Sequence, residues 1–169
     1  MNGPRPLGAA MYIIASILLL VLLTSLFGDA LERQRNPNAS PTSLNPGEGP
    51  ASTLLQRNRA GHYVFNGTVN GTTAEFLVDT GATAVAVPAR LATSLGLQRG
   101  TPMQALTANG ITTAYATRID SLIIGEIEER DIAASIIPNF PGEQILLGMS
   151  FLKRLDFTQR GDTLILRQR

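Results

Sequence analysis

Asn70-Gly71, set between His62-Tyr63-Val64-Phe65-Asn66-Gly67-Thr68-Val69 and the run from Thr72 to Val78, decides more about the fold than any other part of this chain. Both flanks are rich in β-branched and aromatic residues. An Asn-Gly pair between such runs is the strongest short hairpin signal, because both central positions of a tight turn favour φ above zero. The second arm, Phe76-Leu77-Val78, continues without a break into Asp79-Thr80-Gly81-Ala82-Thr83. Three apolar residues bury a strand, the acid sits where that strand leaves the core, and Gly81 lets backbone N–H groups approach the carboxylate with no Cβ in the way. The bare Asp-Thr-Gly tripeptide also suits an ordinary turn. The apolar strand before it and Ala82-Thr83-Ala84-Val85 after it point instead to an acid held for chemistry.

The same strand grammar continues. Pro88 through Gly96 is expected to form the one short helix of the domain, with Pro near its start, Leu91 and Leu95 on one face and Gly96 as its stop. Met103–Thr107 and Ile111–Arg118 flank Ala108-Asn109-Gly110 as a hairpin, and Ile119–Ile124 and Ile127–Ile137 flank Gly125-Glu126 as another. Ile145 through Leu152 reads as an apolar strand broken by Gly148, and Leu155-Asp156-Phe157 and Leu164-Ile165-Leu166 close the chain. Strands at this spacing predict an all-β, small closed or partly closed barrel.

The strand-Asp-Thr-Gly arrangement occurs once: Asp120-Ser121-Leu122 and Asp162-Thr163-Leu164 lack the glycine, and Asp156 is followed by Phe157. A pair of carboxylates that hydrolyses a peptide must activate a water and polarise a carbonyl together, so one acid per chain is half of such a site. A two-fold homodimer, the commonest closed assembly, sets the same residue of both copies beside its axis.

Ahead of the barrel, Ala9 through Phe27 contain neither charge nor proline. As a helix at about 1.5 Å per residue they span roughly 28 Å, close to a hydrocarbon core of about 30 Å, which predicts a transmembrane anchor over 9–27 after a short tail, 1–8. A cleaved secretory signal is the alternative, with Gly28-Asp29-Ala30 as a loose cleavage site and Arg5 as the basic start, but the run exceeds the usual signal core of about 7–15 residues. From Asn36 to Pro50 the chain is dense in Pro, Asn, Ser and Gly with Leu44 its one strongly apolar side chain, so residues 28–59 are expected to be a disordered linker and 60–169 the folded domain. Flanking charges do not decide the orientation. A single N-terminal span followed by all the rest favours an extracytoplasmic domain. Near-neutral charge, +1, without a basic run argues against nucleic acid as a partner.

These parts, in this order, resemble the retropepsins, the homodimeric relatives of pepsin-like aspartic proteases. Within them the chain is most similar to membrane-anchored bacterial retropepsin-like proteins, in Gly61-His62, Val69-Asn70-Gly71, Val78 through Thr83, Thr107-Ala108-Asn109-Gly110 and Leu146 through Leu152. The resemblance covers residues 60–169. It implies that Asp79 is the catalytic acid and that Thr80, with Gly81 and Ala82 in the active-site loop, joins a hydroxyl-to-backbone network beneath paired loops. It also implies that Ala108, Asn109 and Gly110 lie at the tip of a substrate-covering flap and that Gly148 packs against the active-site loop. The flap departs from the glycine-rich retroviral form, and the interlocking terminal strands of retroviral dimers have no recognisable counterpart. The expected function is thus an aspartic endopeptidase of the bacterial inner membrane, single-pass and facing the periplasm, acting as a homodimer on peptide segments of envelope or membrane proteins. No cofactor or metal is expected, since His62 is the one histidine and cysteine is absent. A barrel that grips or pairs peptides without cutting them is the alternative from another class.

Overall fold

The computed structural model describes residues 6–44, 47, 49–107 and 110–169. It opens with a long helix, α1 (Pro6–Arg35), whose apolar length suits a membrane crossing and whose side chains from Gly8 onward are exposed along its whole length. The strands follow as β1 (Thr42–Ser43), β2 (Ser52–Gln56), β3 (Val64–Val69), β4 (Thr72–Val78) and β5 (Val85–Pro88). After a short helix, α2 (Ala89–Ala92), come β6 (Pro102–Thr107), β7 (Gly110–Ile124), β8 (Ile127–Ile137) and β9 (Ile145–Leu147). A second short helix, α3 (Met149–Leu152), leads to β10 (Leu155–Arg160) and β11 (Thr163–Gln168).

Seven strands form one sheet in the order β3-β4-β9-β5-β8-β7-β6, and a further β3–β7 pairing closes it on itself. This is the closed all-β barrel that the turn spacing predicts. The β3–β4 hairpin turns at Asn70 (φ 48°) and Gly71 (φ 83°), the two positive φ values that an Asn-Gly turn demands. Its register sets Phe65 opposite Phe76, both fully buried, with ring centroids 5.3 Å apart and planes nearly parallel. The Asn70 side chain does more than turn the chain: it donates to Leu95 O and accepts from the N–H groups of Asp120 and Ser121, tying the hairpin tip to β7. Phe65, Phe76, Ile119, Leu122, Ile132, Ile136, Ile145, Leu147 and Phe151 belong to one core inside the closed sheet.

Four expectations need correction. The disordered linker over 28–59 is in large part ordered: α1 runs to Arg35, Asn36 and Asn38 are buried, and β1 and β2 extend a second sheet in the order β1-β2-β11-β10. The physical reason is Asn38, whose side chain donates to Gln56 O and Val64 O and accepts from Gln56 N, so a polar segment gains order from hydrogen bonds and not from apolar burial. The folded domain therefore starts well before residue 60. The helix expected over 88–96 is only α2, one turn followed by further turns to Gly96 (φ 68°). The apolar run Ile145–Leu152 is not one strand: it is β9, then Gly148, then α3, so the domain has two short helices among the described residues.

Candidate active site

Asp79 follows the last residue of β4. That strand lies parallel to β9, with Phe76, Leu77 and Val78 opposite Ile145, Leu146 and Leu147. Both strands feed the same place, because Asp79 N donates to Leu147 O at 3.2 Å and so extends the ladder by one rung. The chain then turns tightly: Ala82 N donates to Asp79 O, and Gly81 N donates to Asp79 Oδ1 at 2.9 Å. One carboxylate oxygen is thus held by backbone. Asp79 is half-buried, while Thr80, Gly81 and Thr83 are exposed, so the loop offers its acid and its hydroxyl outward.

Gly148 locks this loop from below. An ideal Cβ there would collide with the carbonyl oxygen of Ala84 and lie 2.7 Å from that of Ala82. Backbone φ at Gly148 is −88°, an ordinary value, so the requirement is space and not conformational freedom. Immediately after it, Met149 N donates to Ala82 O at 2.8 Å. Gly148 therefore stands against the loop that follows Asp79.

Ser150, which the sequence did not single out, completes the support. Its hydroxyl accepts from Val85 N at 3.0 Å and donates to Ala133 O at 2.8 Å, joining α3 to the start of β5 and to β8. A serine inside an apolar run that ends a strand was the only hint available. Glu75, also unremarked, stands four positions before Asp79 on β4 and accepts from Gln144 Nε2 at 2.8 Å, directly ahead of β9.

The hairpin expected to be a flap forms from β6 and the start of β7, with Thr107 opposite Gly110 and Thr107 Oγ1 donating to Gly110 O. Of the expected tip residues, Gly110 adopts φ 101°, and Ala108 and Asn109 lie outside the described residues. Leu106 and Ile111 face each other across the hairpin and are 85% and 71% exposed. At the hairpin base, Ala105 and Ala114 pack with Ala86, Ile137, Phe140 and Leu146 in a small apolar cluster separate from the main core. This cluster links the hairpin to β5, which follows the Asp79 loop, and to β8 and β9. The remaining residues play structural parts: Tyr63 packs into the main core, Tyr115 lies under the Arg99 guanidinium, and His62 is an exposed loop residue. Among the described residues, no three His, Cys, Asp or Glu side chains converge as a metal-binding group.

Residues 65–154 match the family described as "gag-polyprotein putative aspartyl protease". An uncharacterized protein from the cobV 5'-region of Sinorhizobium sp is 35% identical over 130 residues, covering 75% of this chain and 56% of that protein. An uncharacterized protein of Rickettsia prowazekii (strain Madrid E) is 34% identical over 105 residues, covering 60% of this chain and 44% of that protein. The chain spans about half the length of these curated relatives. Among solved structures, the crystal structure of a retropepsin-like aspartic protease from Rickettsia conorii superposes with a TM-score of 0.60 at 31% identity, over 76% of this chain and 96% of that one.

Proposed function

For a chain that belongs to the gag-polyprotein aspartyl protease family and has the retropepsin-like fold, we propose that two copies join their Asp79 side chains into one site that hydrolyses peptide bonds. The observation that carries this is the Asp79 loop itself: an acid at a strand end, fixed by backbone on one oxygen, half-buried beside the exposed Thr80 and supported from below by Gly148. A single copy supplies a base but no partner acid.

Two such carboxylates at about 3 Å cannot both be ionised cheaply, so the pair shares one proton. The ionised member takes a proton from water as the water oxygen attacks the scissile carbonyl carbon; the protonated member donates to the carbonyl oxygen. The tetrahedral intermediate breaks its C–N bond as the nitrogen gains a proton, leaving a carboxylic acid and an amine and restoring the shared proton. Thr80 would bridge the paired loops through its hydroxyl. Gly110 and its neighbours would close over an extended peptide and exclude water.

The chain would be held in the bacterial inner membrane by α1, with the barrel in the periplasm and envelope or membrane proteins as substrates. Asp79→Asn tests the catalytic half: the amide keeps the carboxylate's shape but cannot act as base. Cleavage of a denatured protein over a pH series should vanish in the variant while folding persists. Wild-type-like cleavage would remove Asp79 from the mechanism, and equal inactivity of both proteins would favour a peptide-gripping barrel that does not cut. Dilution tests the dimer: activity per chain should fall as sedimentation shows dissociation, and a fully active monomer would exclude a shared dyad.

A further inference from the structure

The end of α1 is fastened to the barrel by a compact polar network. Arg35 donates from Nη1 and Nη2 to the two carboxylate oxygens of Glu75, at 2.6 and 2.9 Å, and from Nε and Nη2 to Glu32 one helical turn back. Asn36 Nδ2 donates to Glu75 Oε2 and to Asn66 Oδ1, both at 3.0 Å, and Gln144 Nε2 donates to Glu75 Oε1. On the other side of the helix end, Asn58 Nδ2 donates to Arg35 O and Arg59 Nη1 to Gln34 Oε1.

An isolated surface ion pair contributes little. This one differs, because the Glu75 side chain is only 18% exposed and both of its oxygens are occupied, by three donor side chains from two segments. A two-pronged Arg–carboxylate contact also fixes direction as well as distance. The backbone follows without slack: Asn36 N still donates to Glu32 O, Pro37 ends the helix, and Asn38 O accepts from Asn66 N on β3.

We propose that this junction makes the membrane anchor and the barrel one rigid unit, so that the site at Asp79 is presented at a set height and tilt to juxtamembrane segments of other membrane proteins. Its membrane half rests on the anchored reading above. The apolar run ends at Phe27, and the helix from Gly28 to Arg35 adds roughly 12 Å at about 1.5 Å per residue. From Glu75, β4 reaches Asp79 in a further ~13 Å. With the Arg35–Glu75 side-chain bridge between these two lengths, Asp79 is confined to within about 40 Å of the hydrocarbon edge, and no coil lets it sweep through a wider volume. Two copies in one bilayer share the same topology, so their two-fold axis runs along the membrane normal, and the rigid junction carries that constraint to the paired barrels.

The absence of cysteine makes the test direct. Spin labels at Leu31→Cys and Gln159→Cys, both exposed in the native chain, report the helix-to-barrel distance in full-length protein reconstituted in lipid nanodiscs and diluted with unlabelled chain. A single narrow distance is expected, lost on Arg35→Ala and regained only in small part with Arg35→Lys, which keeps the charge but not the two-pronged contact. A broad distribution in the native junction, or a narrow one that survives Arg35→Ala combined with Glu75→Ala, would overturn the rigid unit. A second arm uses nanodisc-embedded substrates whose cleavable segment is moved outward by lengthening spacers. Cleavage should fall steeply with height for the native chain and flatten when a Gly-Ser stretch is inserted after Arg35; equal cleavage at all heights by the native chain would overturn the substrate class. A narrow distance with no cleavage at any height would count against the protease reading and leave the junction standing.

Discussion

The loop that holds Asp79 and the hairpin that would cover it are built on opposite physical terms. Around Asp79 the neighbours are backbone atoms: Leu147 O, Gly81 N, Ala82 N and the close pass of Gly148 under Ala82 and Ala84. Such contacts leave little room to adjust. The distal flap instead leaves β6 almost wholly exposed, and its apolar pair Leu106 and Ile111 gains nothing from the fold. An apolar pair left in water is a cost that only a bound peptide or a second flap would offset. Under the proposed function, rigidity is concentrated where a charge would be aimed, and exposed apolar surface where a ligand would be covered.

Glycine substitutions give the sharpest way to break this contrast. Gly148→Ala forces a methyl group into two backbone carbonyls that cannot swing aside, and should cost about 3 kcal/mol or more. Gly110→Ala meets open space and bears only the strain of φ 101°, about 1 kcal/mol. Urea unfolding of both variants measures the difference. A Gly148→Ala cost equal to or below that of Gly110→Ala would mean that the loop is not packed as tightly as its geometry requires.

Ser150→Ala probes the same support through hydrogen bonding. It strips a partner from Val85 N and from Ala133 O, both at good distances, and should destabilise by about 1–2 kcal/mol. Turnover should drop with stability, since the start of β5 follows the Asp79 loop directly. Unchanged stability would show that water replaces the hydroxyl at no cost.

What could be read from the sequence divides along similar lines. The Asn70-Gly71 hairpin, the acid at the end of its second arm and the flap hairpin are local: their turn chemistry and alternation lie within a few residues of each other. The parallel alignment of β4 with β9 and the β3–β7 closure join segments far apart, and no local pattern encodes them. Met149–Leu152 misled because a short apolar run fits a buried helical turn as well as a strand. Asn36 and Asn38 were hidden for a different reason. Composition averages treat asparagine as a mark of disorder, yet these two side chains are 4% exposed and fully engaged in hydrogen bonds. Glu75 and Arg35, ordinary surface charges by sequence, acquire meaning only once the fold brings them together.

The flap side of the contrast predicts an effect that stability measurements would miss. Leu106→Ser with Ile111→Thr removes exposed apolar surface and should shift unfolding free energy by no more than about 0.5 kcal/mol. If these side chains cover the peptide, the same variant should raise KM by roughly tenfold, equivalent to about 1.4 kcal/mol of lost binding, with kcat nearly unchanged, because the contact is made equally in the ground and transition states. Peptide-cleavage kinetics on the double variant separate the two constants. A fall in kcat at constant KM would instead tie the pair to closure of the catalytic arrangement. A marked loss of stability would mean that Leu106 and Ile111 are buried in solution against a second copy, moving the flap tips into the dimer contact.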